Sequence, residues 1–183
     1  ICEPSQDVGG DFYDVQQLSH EKIGIAIGDV SGKGVPGAML MANLYAGYRS
    51  RLRTEDSIKV MVTQLNELLV ESTNSEKYAT FFYGELDIDS HEFTYCNAGH
   101  NPPLLIHENG DYEELNTGGP VVGVLENAVY EESTIRFRSG DLLLLYTDGI
   151  TEARNLKGQY YEVGRLMDVV QRRKNHMPSD ELI

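Results

Sequence analysis

Residues 23–36 read Ile23-Gly24-Ile25-Ala26-Ile27-Gly28-Asp29-Val30-Ser31-Gly32-Lys33-Gly34-Val35-Pro36, and the pattern changes character partway along. Large and small residues alternate from Ile23 to Gly28, which places isoleucines on one face of a strand and Gly or Ala on the other. Asp29 closes that alternation. Gly32 and Gly34 then mark a loop, and Pro36 stands where a proline opens a helix, since its missing N–H would lack a partner there anyway. The stretch therefore predicts a strand, a carboxylate at the strand end, a glycine loop and a helix, in that order.

Upstream, Asp11 to Leu18 is rich in β-formers and predicts a hairpin with the first strand, turning near Ser19–Lys22. Downstream, Met41, Leu44, Tyr45, Tyr48 and Leu52 recur at helical spacing. A second helix is expected after a cap at Asp56, with Ile58, Met61, Val62, Leu65 and Leu69 on one face. Strands follow: Tyr78–Ile88 with Glu92–Ala98 around Asp89-Ser90-His91, and Pro103–His107 with Asp111–Leu115 around Glu108-Asn109-Gly110. A fourth hairpin is expected from Val129–Phe137 and Leu142–Tyr146 around Ser139-Gly140-Asp141. Leu142-Leu143-Leu144-Leu145 has no polar face, which predicts a strand buried on both sides. Helical periodicity resumes from Tyr161 to Lys174. Antiparallel hairpins with a helix pair inserted after the second strand predict an α+β fold of two packed sheets with helices outside. Residues 1–183 read as one domain, without a repeat or internal linker.

The bulk composition narrows the function. With 40% hydrophobic residues, a chain of 183 residues can build its own core. Fifteen Lys+Arg against 29 Asp+Glu give a formal charge of −14, a surface that repels nucleic-acid phosphates and anionic lipid headgroups. No apolar run reaches the roughly 20 residues of a membrane-spanning helix. Cys2 and Cys96 lie far apart and without metal spacing, so a reducing cytoplasm is the expected setting and both thiols are read as packing residues. The chain opens at Ile1 and stops at Ile183 inside helix-like sequence, and it is expected to be a piece of a longer protein, cut at both ends.

Three aspartates fall where strands meet glycine-containing loops: Asp11 after Gly10, Asp29 at the end of Ile23–Ile27, and Asp148 before Gly149. Converging carboxylates supply the oxygen ligands that hard divalent cations prefer, and flanking glycines let backbone carbonyls approach an ion. Each Asp taken alone is better explained as a turn residue, and only the three together bring the two readings level. Gly32-Lys33-Gly34 lacks the spacing of a nucleotide-binding loop, and no Ser or Cys occupies a nucleophile elbow. His100 has the chemistry of a general acid or a ligand, but its position in a proline loop favours a role in fixing that loop. No second His stands at zinc-ligand spacing.

Four segments occur in order: Val8-Gly9-Gly10-Asp11-Phe12-Tyr13-Asp14, Gly28-Asp29-Val30-Ser31-Gly32-Lys33-Gly34, Asn97-Ala98-Gly99-His100-Asn101-Pro102 and Tyr146-Thr147-Asp148-Gly149-Ile150-Thr151-Glu152-Ala153. Together they resemble the bacterial SpoIIE/RsbU branch of the metal-dependent (type 2C, PPM) serine/threonine protein phosphatases, over nearly the whole chain. The resemblance implies an α-β-β-α sandwich with a cleft for two Mn²⁺ or Mg²⁺ ions. It implies Asp29 as the bridging ligand, the Val30 carbonyl and Asp148 as ligands to one ion each, and Asp11 as direct or water-mediated support. It also implies attack by activated water with no phosphoenzyme, and as substrate a phosphorylated anti-sigma-factor antagonist with a STAS-like fold. An upstream sensory or receiver domain is implied as a regulator, and a homodimer is left open. One departure stands out. The family's last metal-binding Asp, in an Asp-Asp-(Ile/Phe)-Thr segment, has no counterpart after Asp148, and Asp168 and Asp180 lie in the wrong context. Either that strand lies beyond Ile183 or one metal is weakly held.

Other classes stay on the table. The departure is compatible with a catalytically weak or inactive protein-binding module on the same fold. Gly-Gly-Asp-Phe also resembles part of a nucleotide-cyclase motif, though the Glu of that motif is absent and the Thr147-Asp148-Gly149 segment counts against it.

Overall fold

The chain's first hairpin forms from β1 (Asp11–Gln17) and β2 (Lys22–Val30), in antiparallel register from Asp11↔Asp29 to Gln17↔Ile23. This is seen in a computed structural model that describes residues 10–32, 34–52, 57–72 and 77–174. Cys2, Gly9, Lys33, the expected Asp56 cap and Asp180 lie outside the described residues. The chain continues through α1 (Val35–Arg51), α2 (Ile58–Ser72), β3 (Ala79–Asp87) and β4 (Glu92–Ala98). Then come β5 (Leu104–Ile106), β6 (Tyr112–Glu114), β7 (Gly118–Gly119), β8 (Ser133–Arg136) and β9 (Leu142–Leu144), before α3 (Asp148–Thr151) and α4 (Glu162–Lys174).

Two sheets result. The larger has the order β1-β2-β3-β4-β7, with β8 also on β4, and the smaller has the order β6-β5-β9. All pairings are antiparallel except β4 with β7. Alternation along each strand divides the core into three layers. Ala26, Val30, Phe81, Tyr83, Cys96 and Ala98 point toward α1 and α2, where Leu44, Tyr48, Val62, Leu65 and Leu69 are buried. On the opposite face, Ile27, Phe82, Phe93 and Tyr95 meet Leu105, Leu143 and Leu145 between the sheets. Leu104, Ile106, Leu142 and Leu144 face Val163, Leu166 and Met167 of α4. Helices therefore cover both outer faces, in the α-β-β-α order the resemblance implied.

Two expectations need correction. Residues 129–146 do not form a hairpin, because β8 pairs with β4 and β9 with β5. The Ser139–Asp141 turn carries the chain from one sheet to the other, held by the Arg138 N–H donating to Asp141 Oδ2 at 2.9 Å. Turn residues show that the chain reverses, but the sheet that receives the next strand is fixed by distant partners. The second correction concerns Leu142–Leu144, which are half-buried rather than enclosed. Both faces of β9 do pack on apolar layers, but its outer edge carries no strand among the described residues.

The faces of the helices are close to expectation. Ile58, Met61, Val62, Leu65 and Leu69 of α2 are all buried. On α1 the buried set is Gly37, Leu40, Leu44, Gly47 and Tyr48; Met41 and Leu52 are partly covered, and Tyr45 sits at the rim with its ring edge-on to Phe12.

Candidate metal centre

Asp11 and Asp29 are direct cross-strand partners, so the β1–β2 register alone brings their side chains to one face. That face is the one turned toward the smaller sheet, because Asp29 follows Ile25 and Ile27 at period two. Asp29 is partly buried, and its carboxyl is pushed up to about 7. Burial is the main cause, followed by a hydrogen bond with Asp11 and the charges of Asp11 and Asp148. Carboxyls that crowd one another in this way are held in an arrangement that added positive charge would relieve.

The backbone around Asp29 is shaped to match. Val30 N–H donates to the Gly10 carbonyl at 3.3 Å. A Cβ at residue 10 would stand 3.0 Å from Asp29 Oδ1 and 3.2 Å from the Val30 carbonyl oxygen. Glycine thus leaves open a small space bounded by two of the oxygens that the resemblance assigns to metal. The donor set there is entirely oxygen, which suits Mg²⁺ or Mn²⁺ rather than a soft ion.

Asp148 arrives from the other sheet, at the start of the short helix α3 just after β9. It is near enough for its charge to raise the Asp29 pKa. Among the described residues, however, no group of three or more His, Cys, Asp or Glu side chains converges to hold an ion. The structure thus gathers Asp11, Asp29 and the Val30 carbonyl, with Asp148 standing further off across the cleft. An opening of about 670 Å³ between the sheets begins at Asp11 and is lined by 11–15, 25–27, 143–147, Gly149 and Ile150, beside rather than around Asp29 and Asp148.

Sequence reasoning missed Thr147 and Thr80. Thr147 Oγ1 donates to Asp11 Oδ2 at 2.9 Å, tying the segment after β9 to β1. Thr80, opposite Asp29 on β3, accepts the Asp29 N–H through Oγ1 at 3.3 Å and lies 2.8 Å from His100 Nδ1. A hydroxyl on a β-strand carries no signal in the sequence of what it faces. The loop at His100 is fixed by the Asn97 side chain rather than by the imidazole: the His100 N–H donates to Asn97 Oδ1 at 2.8 Å, and Asn97 Nδ2 donates to the His100 carbonyl at 3.1 Å. Cys96 is buried with its thiol pushed up to about 12 by burial, then by Glu132, which makes it a poor nucleophile.

Comparison with known proteins identifies relatives of the whole fold. A sequence profile of the family described as Stage II sporulation protein E (SpoIIE) matches residues 19–183. The phosphoserine phosphatase RsbU of Bacillus subtilis is 30% identical over 159 residues, which cover 86% of this chain and 47% of RsbU. Among solved structures, the RsbU and RsbW domains of Rv1364c from Mycobacterium tuberculosis match with a TM-score of 0.72 at 26% identity, covering 92% of this chain and 45% of that one. The SiaA-PP2C domain of Pseudomonas aeruginosa matches in fold with a TM-score of 0.78 at 20% identity, over 96% of this chain and 70% of that one. The chain spans between 31% and 47% of the length of the first curated relatives it matches. By profile, by sequence relatives and by fold, the chain belongs to the SpoIIE family of PP2C-type serine phosphatase domains.

Proposed function

We propose that this domain hydrolyses a phosphoserine or phosphothreonine on a small regulatory protein, and that it requires two divalent cations, Mn²⁺ or Mg²⁺, held by Asp11, Asp29, the Val30 carbonyl and Asp148. The observation that carries the reading is the Asp11–Asp29 pair, with the Asp29 carboxyl raised to about 7 beside a space kept open by Gly10. When bound, the cations supply the positive charge that acidifies a water molecule and offsets the phosphoryl charge. Asp29, whose carboxyl feels both Asp11 and Asp148, would be shared between the cations, and Asp11 is oriented by Thr147. Asp11, Asp29 and the Val30 carbonyl are mounted on strand ends, so their positions are set by the larger sheet rather than by loops, while Asp148 opens α3. With Cys96 buried and its thiol protonated, water rather than this thiol is the nucleophile.

For the substrate, the family resemblance favours a phosphorylated anti-sigma-factor antagonist with a STAS-like fold, and for control an attached sensory or receiver domain. A formal charge of −14 favours a protein substrate over a nucleic-acid one. The deciding experiment measures phosphate release from phosphoserine, phosphothreonine and phosphotyrosine peptides, and from a phosphorylated STAS protein, with and without Mn²⁺. Release from the first two peptides and the STAS protein, abolished by chelator, is expected. Turnover that persists in chelator would overturn the reading.

A further inference from the structure

His100 is 4% exposed, and among the described residues its ring makes one well-formed hydrogen bond. Nδ1 lies 2.8 Å from Thr80 Oγ1, while Nε2 has no hydrogen-bond partner among the described residues. Loop fixing does not explain the ring, because the Asn97 bonds use only the His100 backbone. An imidazole placed in the interior carries a desolvation cost, so its position calls for a physical reason.

Its surroundings supply one. Thr80 Oγ1 accepts the Asp29 N–H at 3.3 Å and lies 3.4 Å from the Asp29 carbonyl oxygen, so this hydroxyl holds both ends of the Asp29 backbone unit. A hydroxyl has one proton. When that proton is given to His100 Nδ1, the oxygen lone pairs are free to receive the Asp29 N–H. Were Nδ1 the donor instead, the Thr80 proton would turn to the Asp29 carbonyl. Burial dominates and lowers the pKa of the ring, while an interaction with the Tyr146 backbone and the charges of Asp11 and Asp148 act in the opposite direction. Tyr146 leads directly into Thr147 and Asp148. One ring thus stands between the sheet that carries Asp29 and the segment that carries Asp148.

We infer that His100 is a positioning residue that sets the Asp29–Val30 peptide, through Thr80, relative to the Tyr146–Asp148 segment, fixing the spacing of the carboxylates before any cation arrives. Metal sites tolerate small displacements of their ligands poorly, and outer groups that orient them typically alter affinity by about 10–100-fold. The inference rests on the proposed metal site for its consequence, but its structural part is a statement about the apo protein.

The test uses His100→Ala, His100→Asn, Thr80→Val and the His100→Ala/Thr80→Val double variant. In chelator, amide hydrogen exchange of Asp29 and Val30 is followed by NMR, alongside melting temperature. Mn²⁺ affinity is then measured by calorimetry. His100→Ala and Thr80→Val are each expected to speed Asp29 exchange and to weaken Mn²⁺ binding about tenfold or more. Their combination should be no worse than either alone, because both cut one chain of contacts. Thr80→Ser keeps the hydroxyl and should retain wild-type exchange. His100→Asn keeps a short polar group for the case in which His100→Ala does not fold, and faster Asp29 exchange is expected of it as well. A drop in melting temperature with wild-type Asp29 exchange and wild-type Mn²⁺ affinity would reduce His100 to a packing residue and overturn the inference. If the wild-type protein itself binds no Mn²⁺, the metal reading fails, and the exchange rates in chelator still decide the role of His100.

Discussion

Asp29 combines partial burial, a carboxyl partner and a rigid strand end, and those conditions pull in opposite directions without a cation. In the apo protein the fold holds a proton on Asp29 up to about pH 7, whereas the unfolded chain releases it near 3.8. The native state therefore binds more protons in that window, and Asp29's contribution makes apo stability fall as pH rises through it. A metal competes with the same proton, so Mn²⁺ affinity should rise as pH passes about 7, as calorimetry at several pH values would check. Asp29→Asn removes the repulsion and keeps the shape. Its melting temperature in chelator should equal or exceed that of the wild type, while Mn²⁺-dependent hydrolysis disappears. Near-normal turnover would contradict the bridging role. Far from this site, His107 lies between Asp141 Oδ1 at 3.1 Å and Glu113 Oε1 at 2.9 Å, and its pKa is raised, chiefly by the Asp141 bond. That stabilisation is complete below the ordinary value of 6.5 and is lost as pH rises through the higher folded value. His107→Gln should flatten the alkaline limb of a melting-temperature profile. An unchanged limb would show that the clamp contributes nothing.

At the scale of elements, α1 is the piece most directly joined to the loop that follows Asp29. Gly37, in its first turn, approaches so closely that a Cβ there would stand 2.7 Å from the Gly32 carbonyl oxygen. Gly34 has a φ of 70°, which glycine accepts at little cost and other residues resist. A shift of α1 would therefore displace the loop that follows Asp29, a short mechanical path from a helix to the proposed ligand. If regulation runs along it, volume-conserving changes such as Met41→Leu and Leu44→Met should alter Mn²⁺ affinity or basal rate more than melting temperature, costing less than about 1.5 kcal/mol of stability. Leu44→Ala, by contrast, empties a fully buried position and should cost about 2–5 kcal/mol. Activity that simply tracks stability across the set would leave α1 as scaffold.

For the whole molecule, a ligand that binds only the folded state stabilises it by mass action, by about 2.7 kcal/mol at a hundred times its dissociation constant. Mn²⁺ should accordingly raise the melting temperature in a concentration-dependent way, and Asp29→Asn should abolish the rise. A metal-independent melting curve would count against the site. Much of this molecule could be read directly from residue order. Alternation from Ile23 to Gly28 specified β2, and helical spacing gave the apolar face of α2. These are local regularities, written by the geometry of one strand, one helix or one turn. Tertiary structure alone decided that β8 and β9 part to different sheets, that Leu142–Leu144 lie at an edge, and that Thr80, Thr147 and His100 stand behind the acids. In each of those cases the outcome depends on a partner far away in sequence, and no local period records which distant residue a side chain will face.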